Sequence, residues 1–242
     1  MSLDEKAWQD IRLRIVAAAK AAHRDPGSIR VLAVSKSFPI EAIQTAYAMG
    51  QRAFGENYVQ EAKTKIAALS GLPGIEWHLI GPLQNNKAGA AVRSFDWVET
   101  IDRQQIAHRL STASTASTAH GAELPPLNVC IQVNISGETT KHGVIPSLAL
   151  ALAREVVRLP GLALRGFMGI AQTAGDGGAV RAQFHLLREL YDAGRGEGLS
   201  LDTLSMGMSS DFEFAIAEGA TQLRIGSVLF GPRVPTSAAE SH

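Results

Sequence analysis

One cysteine in 242 residues leaves no internal disulfide to form. Cys130 sits in the apolar run Leu127-Asn128-Val129-Cys130-Ile131, the setting of a buried strand residue in a chain kept reduced. Net charge is lacking too. Lys and Arg number 23, Asp and Glu 23, so there is no long-range field to draw the chain to nucleic acid or an anionic membrane surface, and any anion must be held by local groups. The amino terminus shows no basic-then-apolar signal pattern, and no apolar run is long enough to cross a bilayer, from which a soluble cytoplasmic protein is expected. No Cys/His grouping has metal-ligand spacing, so no metal is expected. No Gly-x-Gly-x-x-Gly follows the first strand, which disfavours a doubly wound dinucleotide-binding sheet.

What is present is a repeated strand-then-helix unit. Ser2-Leu3-Asp4-Glu5 resembles a capping box, and Trp8, Ile11, Ile15, Ala18 and Ala22 recur at helical spacing until Asp25-Pro26-Gly27. Val31-Leu32-Ala33-Val34-Ser35-Lys36 then reads as a strand buried on both faces, and a helix is predicted over 39–49 with Gly50 as its C-cap. Strands follow at 52–55, 76–81, 96–100, 127–135, 162–170, 203–205 and 222–226, separated by helical stretches. Eight such units imply one α/β domain, a single (β/α)8 TIM barrel over residues 1–234, with 235–242 a disordered tail. The tract STASTASTAH at 111–120 is too small and polar to build core and reads as a frayed helix end or surface loop without function.

In a parallel barrel, ligand-binding residues stand at the carboxyl ends of the strands. Lys36 is there, either snorkelling from the rim or aimed into a desolvated mouth where its amine can attack a carbonyl. The loops after strands seven and eight, where barrels commonly hold phosphate, read Ser205-Met206-Gly207-Met208-Ser209-Ser210 and Gly226-Ser227. Both offer glycine for close approach and hydroxyls for hydrogen bonds. Arg224 shares a strand face with Gln222 and points into the barrel, where its charge needs either a ligand acceptor or a structural ion pair. Asn57 fits a helix N-cap with Gln60 reaching back, His78 a satisfied core histidine, and Lys141 either a solvated loop lysine or a second amine near the first.

Taken together, Ala33-Val34-Ser35-Lys36, Phe54-Gly55-Glu56-Asn57-Tyr58-Val59-Gln60-Glu61, Trp77-His78-Leu79-Ile80-Gly81-Pro82-Leu83-Gln84-Asn85-Asn86-Lys87, Leu204-Ser205-Met206-Gly207-Met208-Ser209 and Arg224-Ile225-Gly226-Ser227-Val228-Leu229-Phe230-Gly231 resemble the pyridoxal phosphate homeostasis proteins. These look like the isolated barrel of fold-type III pyridoxal phosphate enzymes such as alanine racemase. The resemblance implies that Lys36 carries pyridoxal 5′-phosphate as a Schiff base, that Arg224 faces the pyridine nitrogen, and that Ser205, Met206, Ser209, Gly226 and Ser227 hold the phosphate with Asn57 beside the ring. It also implies storage, delivery or buffering of the cofactor inside the cell, with effects on amino-acid and keto-acid metabolism and with apo-enzymes as recipients. Lys141 would assist cofactor exchange. No catalysis is expected, because an arginine-paired ring is a poor electron sink and the racemases take a second base from a further domain that this chain has no room for. The alternatives are a fold-type III amino-acid racemase or decarboxylase, or a class I aldolase that uses the lysine without a cofactor. Two departures, the Ser/Thr/Ala tract and a Gly175-Asp176-Gly177-Gly178 loop, touch none of these motifs.

Overall fold

The computed structural model describes residues 5–119, 125–172 and 176–231. Its eight strands are β1 Arg30–Val34, β2 Ala53–Glu56, β3 Glu76–Leu79, β4 Trp97–Ile101, β5 Leu127–Val133, β6 Leu162–Gly169, β7 Thr203–Ser205 and β8 Gln222–Ile225. They form a closed parallel barrel in sequence order, and β8 returns to β1 with Arg30 opposite Gln222 and Ala33 opposite Ile225. Closure excludes the open sheet. Around the barrel run α1 Glu5–Ala21, α2 Ile40–Ala48, α3 Val59–Ala68, α4 Ala88–Ser94, α5 Gln104–Ala119, α6 Pro146–Val156, α7 Gly177–Gly196, α8 Phe212–Ala217 and the short α9 Ser227–Phe230.

The strands are apolar on both faces because each face meets a different core. Ala33, Phe54, Leu79, Val98, Val129, Ile131, Leu204 and Leu223 point outward into one large apolar layer beneath the helices. The inward set is smaller and mixed: Trp97, Cys130 and Met168 cluster together, and His78, Glu99, Ser205, Gln222 and Arg224 are buried among them. Of the expected α1 stripe, Trp8, Ile11 and Ile15 are buried, Ala18 and Ala22 are half-buried against the same core, and Ala19 is the buried alanine instead. Ser2, Leu3 and Asp4 of the expected capping box, and the tail at 235–242, lie outside the described residues.

Three local expectations are corrected. The serine-rich tract is neither loop nor frayed end through Ala119: it completes α5, with Ser111 Oγ donating to the Pro160 carbonyl at 2.7 Å and Ser114 Oγ to the Gly161 carbonyl at 3.0 Å. Both serines are buried, and their small side chains let the helix approach the turn before β6. Asn57 is not the cap of α3. The N-cap is Tyr58, without a side-chain hydrogen bond, so Asn57 stays outside the helix. Finally, β1 stops at Val34 and leaves Lys36 on a turn. Of the glycine-rich segment, Asp176 caps α7 by accepting the Ala179 N–H at 2.8 Å, and Gly175 lies outside the described residues. Among the described residues no helix is long and apolar enough to cross a membrane.

Candidate functional site

The turn that carries Lys36 follows directly from the strand pairing. Ser35 N–H donates to the Gly55 carbonyl at 2.9 Å, extending the β1–β2 ladder by one bond, and Phe38 N–H then folds back to the Ser35 carbonyl at 3.1 Å. Ser37 takes φ +63°, a left-handed conformation that such a turn usually assigns to glycine. The partly buried Lys36 side chain lines a pocket of about 360 Å³ at the carboxyl end of the barrel. Asn57, Ser209, Ser210, Gly226 and Ser227 share that lining, with Arg224 entering from inside β8. Val34, Ile80, Ile170 and Met208 supply its apolar surface.

Asn57 is held there by contact rather than capping. A Cβ on Gly81 would stand 2.2 Å from the Asn57 carbonyl oxygen, so only glycine lets the loops after β2 and β3 close this tightly. The loop after β7 is set by Gly207 at φ +93° and by Asp211, whose carboxylate accepts the Met208 N–H at 2.6 Å. It brings Ser209 and Ser210 beside Ser227. Among the described residues no acceptor engages the amides or hydroxyls of these three serines. Such a donor set matches a phosphate, which needs several hydrogen bonds converging on an anion.

Two residues expected at the phosphate are elsewhere. Ser205 is fully buried below the mouth, its hydroxyl donating to Glu99 Oε2 at 2.6 Å, and Met206 lies in the apolar layer under the helices. Lys141 is exposed on the loop between β5 and α6, 3.7 Å from Glu138, and does not line the pocket. That loop is pinned by Asn134, which accepts the Gly137 N–H at 3.1 Å and donates to the Glu138 carbonyl at 2.8 Å.

Arg224 has the inward direction expected of it and is only 4% exposed. It donates to Ser205 Oγ and to the Gly169 carbonyl, each at 2.8 Å. Behind Ser205 stands Glu99, which also accepts from Gln222 Nε2 at 2.7 Å and pairs with His78 Nδ1 at 2.6 Å. His78 stacks on Trp97 with ring centroids 5.0 Å apart, and its Nε2 lies 3.1 Å from Glu76, which is paired with Arg30 at the far end of the barrel. A column of alternating charge therefore runs through the interior from the pocket. Burial alone would raise the Glu99 carboxyl and lower the His78 imidazole; hydrogen bonds to Glu76 and then Glu99 raise the imidazole instead, and His78 with Arg224 lowers the Glu99 carboxyl. The sequence signal for this column is Glu99, a carboxylate two residues from Trp97 in a strand buried along its whole length. Among the described residues no group of His, Cys, Asp and Glu is arranged to hold a metal ion.

The family model for the alanine racemase N-terminal domain matches residues 11–234. The chain is 50% identical to a pyridoxal phosphate homeostasis protein of Pseudomonas aeruginosa over 92% of its length and 93% of the relative. It is 47% identical to the Escherichia coli protein of that name over 92% and 94%. Among solved structures, PipY of Synechococcus elongatus with pyridoxal phosphate bound is similar at TM-score 0.77 and 38% identity, covering 90% of this chain and all of that one, 100%. An alanine racemase of Clostridium difficile shares the fold at TM-score 0.70 and 14% identity, covering 94% of this chain and 58% of that one.

The interior column makes stability depend on pH in a defined direction. The His78 pKa is raised in the fold above its ordinary value of 6.5, so its contribution is complete below that pH and lost as pH rises through the folded value. Glu76 works at the other end of the scale. Burial would raise it, but His78 and Arg30 hold it at about 2, so its contribution is present above 4.5 and lost as pH falls toward 2. The stability advantage of the native protein over His78→Gln is expected to shrink as pH is raised above neutrality. Urea unfolding at a series of pH values measures it, and a difference that stays flat would mean His78 is neutral in the barrel.

Proposed function

The chain belongs to the alanine racemase N-terminal domain family, and within it to the pyridoxal phosphate homeostasis proteins, and from that premise we propose that it binds pyridoxal 5′-phosphate and stores, delivers or buffers it within the cell, with consequences for amino-acid and keto-acid metabolism. The observation that carries this is one pocket in which a lysine amine, three serines with uncommitted donors and a buried guanidinium converge. When bound, the cofactor supplies an aldehyde that condenses with a primary amine and a ring that can accept electron density. Lys36 is the attaching amine. Ser209 and Ser227 hold the phosphate, joined by Ser210, and the Gly226 backbone allows close approach. Arg224 is oriented by Ser205 and Gly169 to face the pyridine nitrogen, with Asn57 beside the ring. Ser205 thus acts through Arg224, and Met206 packs beneath the loop.

The relatives are named as homeostasis proteins rather than enzymes. We extend that to a non-catalytic role for this chain, in the cytoplasm, with apo-enzymes as the recipients of the cofactor. A guanidinium beside the pyridine nitrogen does not protonate it as a carboxylic acid does, which leaves the ring a weak electron sink. Among the described residues the pocket lining offers Lys36 as its one proton acceptor. Without a second base the acid–base contribution to rate, about 10²–10⁴, is forfeited.

Three experiments follow from this assignment. Borohydride reduction of protein incubated with pyridoxal phosphate is expected to fix the cofactor on Lys36, and Lys36→Ala to lose both the adduct and the visible absorption band; full stoichiometric attachment at another lysine would sink the assignment. Lys141→Ala is expected to leave binding intact yet slow transfer to an apo-enzyme, since an amine on a loop at the same edge of the barrel can displace Lys36 by attack at the same carbon. An unchanged transfer rate removes Lys141 from the exchange. The racemase or decarboxylase alternative is tested by Cα–H exchange of L- and D-amino acids in deuterated water, followed by NMR: only slow exchange is expected, and rapid Lys36-dependent exchange would make this chain an enzyme.

A further inference from the structure

Beneath the Lys36 turn lies a buried ionic group outside the pocket lining. Lys65 of α3 is 5% exposed, yet all three of its ammonium hydrogens have acceptors: the Ser35 carbonyl at 2.8 Å, Glu56 Oε1 at 2.9 Å and Glu61 Oε1 at 2.7 Å. Glu56 Oε1 also accepts the Ser35 hydroxyl at 2.6 Å, and Glu61 Oε1 accepts the Ser37 N–H at 2.7 Å. The residues on both sides of Lys36 are therefore tied down. Ser37 sits at φ +63°, a conformation a non-glycine residue leaves unless something restrains it, and Glu61 supplies the restraint. Glu56 also ends β2 one residue before Asn57, so the same group secures two residues of the pocket.

A buried lysine–glutamate pair with a second, partly exposed glutamate is a costly means of joining a helix to a strand, because apolar side chains of similar volume would do so at least as well. What distinguishes this group is where its hydrogen bonds go. They end on Ser35 and Ser37, the immediate neighbours of Lys36. The two lysines also divide the work: Lys65 spends its N–H donors on these three acceptors, while Lys36 is carried on the turn that Lys65 fixes. Burial raises the Glu56 carboxyl in spite of Lys65 and Ser35, and Glu56 Oε2 has no partner.

We propose that Glu56, Lys65 and Glu61 are positioning residues that set the Ser35–Ser37 turn so that the Lys36 amine meets the cofactor aldehyde. This rests on the cofactor assignment above. A positioning role makes a demand that a merely structural one does not: it affects the bond to the aldehyde and spares the hold on the phosphate.

The test compares pyridoxal 5′-phosphate with pyridoxine 5′-phosphate, which carries the same phosphate and ring but an alcohol in place of the aldehyde. Dissociation constants for both are measured on the native protein, Lys65→Met, Glu61→Ala and Glu61→Gln, each checked by circular dichroism. Lys65→Met and Glu61→Ala are expected to lose roughly ten- to a hundredfold in affinity for the aldehyde, the usual effect of removing a hydrogen bond to a charged group, with little change for the alcohol. Glu61→Gln, whose amide oxygen can still accept the Ser37 N–H, is expected to recover most of the loss. Equal losses for both compounds, no loss for either, or a Glu61→Gln as damaging as Glu61→Ala would overturn the proposal. If Lys65→Met does not fold, the Glu61 pair decides, because Glu61 is partly exposed and its removal leaves no buried cavity. A native protein that binds neither compound would instead overturn the cofactor assignment.

Discussion

Everything at the carboxyl end of this barrel depends on the pairing of β1 with β8. Arg30 lies opposite Gln222 and Ala33 opposite Ile225, so the chain leaves β1 beside the point where it leaves β8. Residues 36 and 226–227, far apart in sequence, become lining residues of one pocket for that reason. The pairing fixes parity as well. Arg30, Leu32 and Val34 share the inward face with Gln222 and Arg224, so the next residue of the same parity, Lys36, turns toward the mouth while Ser35 turns outward to Glu56 and Lys65.

Parity separates two systems of buried charge. Inside the barrel, Arg224, Glu99, His78, Glu76 and Arg30 alternate in sign along the axis, each linked to the next directly or through Ser205. Outside it, Lys65 balances Glu56 and Glu61 beneath the first loop. Each is worth having only as a complete set, since one member left without its partner would be a buried unpaired charge. The interior column holds a guanidinium still, and the exterior group holds a turn still. Between them they present an amine and a cation to the same small volume, while the serine-bearing loops supply neutral donors around it.

This arrangement suits retention of a cofactor. The pocket gathers donors and a cation, a set suited to an anionic aromatic aldehyde. The solved racemase with the same barrel is a longer chain, of which this one covers 58%.

The sequence by itself determined the barrel, because eight strand-then-helix units and apolar runs buried on both faces admit few other closures. It also determined that Lys36, Asn57, Ser209, Arg224, Gly226 and Ser227 would stand at one end, since strand-end position follows from element boundaries alone. Tertiary structure decided the partners. That Ser205 serves Arg224 rather than a ligand, that Glu99 lies behind it, and that Lys65 and Glu61 grip the neighbours of Lys36 all depend on which residues of different strands and helices share a layer. Local sequence carries no record of such distances: Ser205 and Glu99 are 106 residues apart and meet at 2.6 Å. The serine-rich tract shows the same limit from the other side, for its composition predicts weak packing, while the carbonyls of Pro160 and Gly161 give its hydroxyls acceptors that no local pattern could announce.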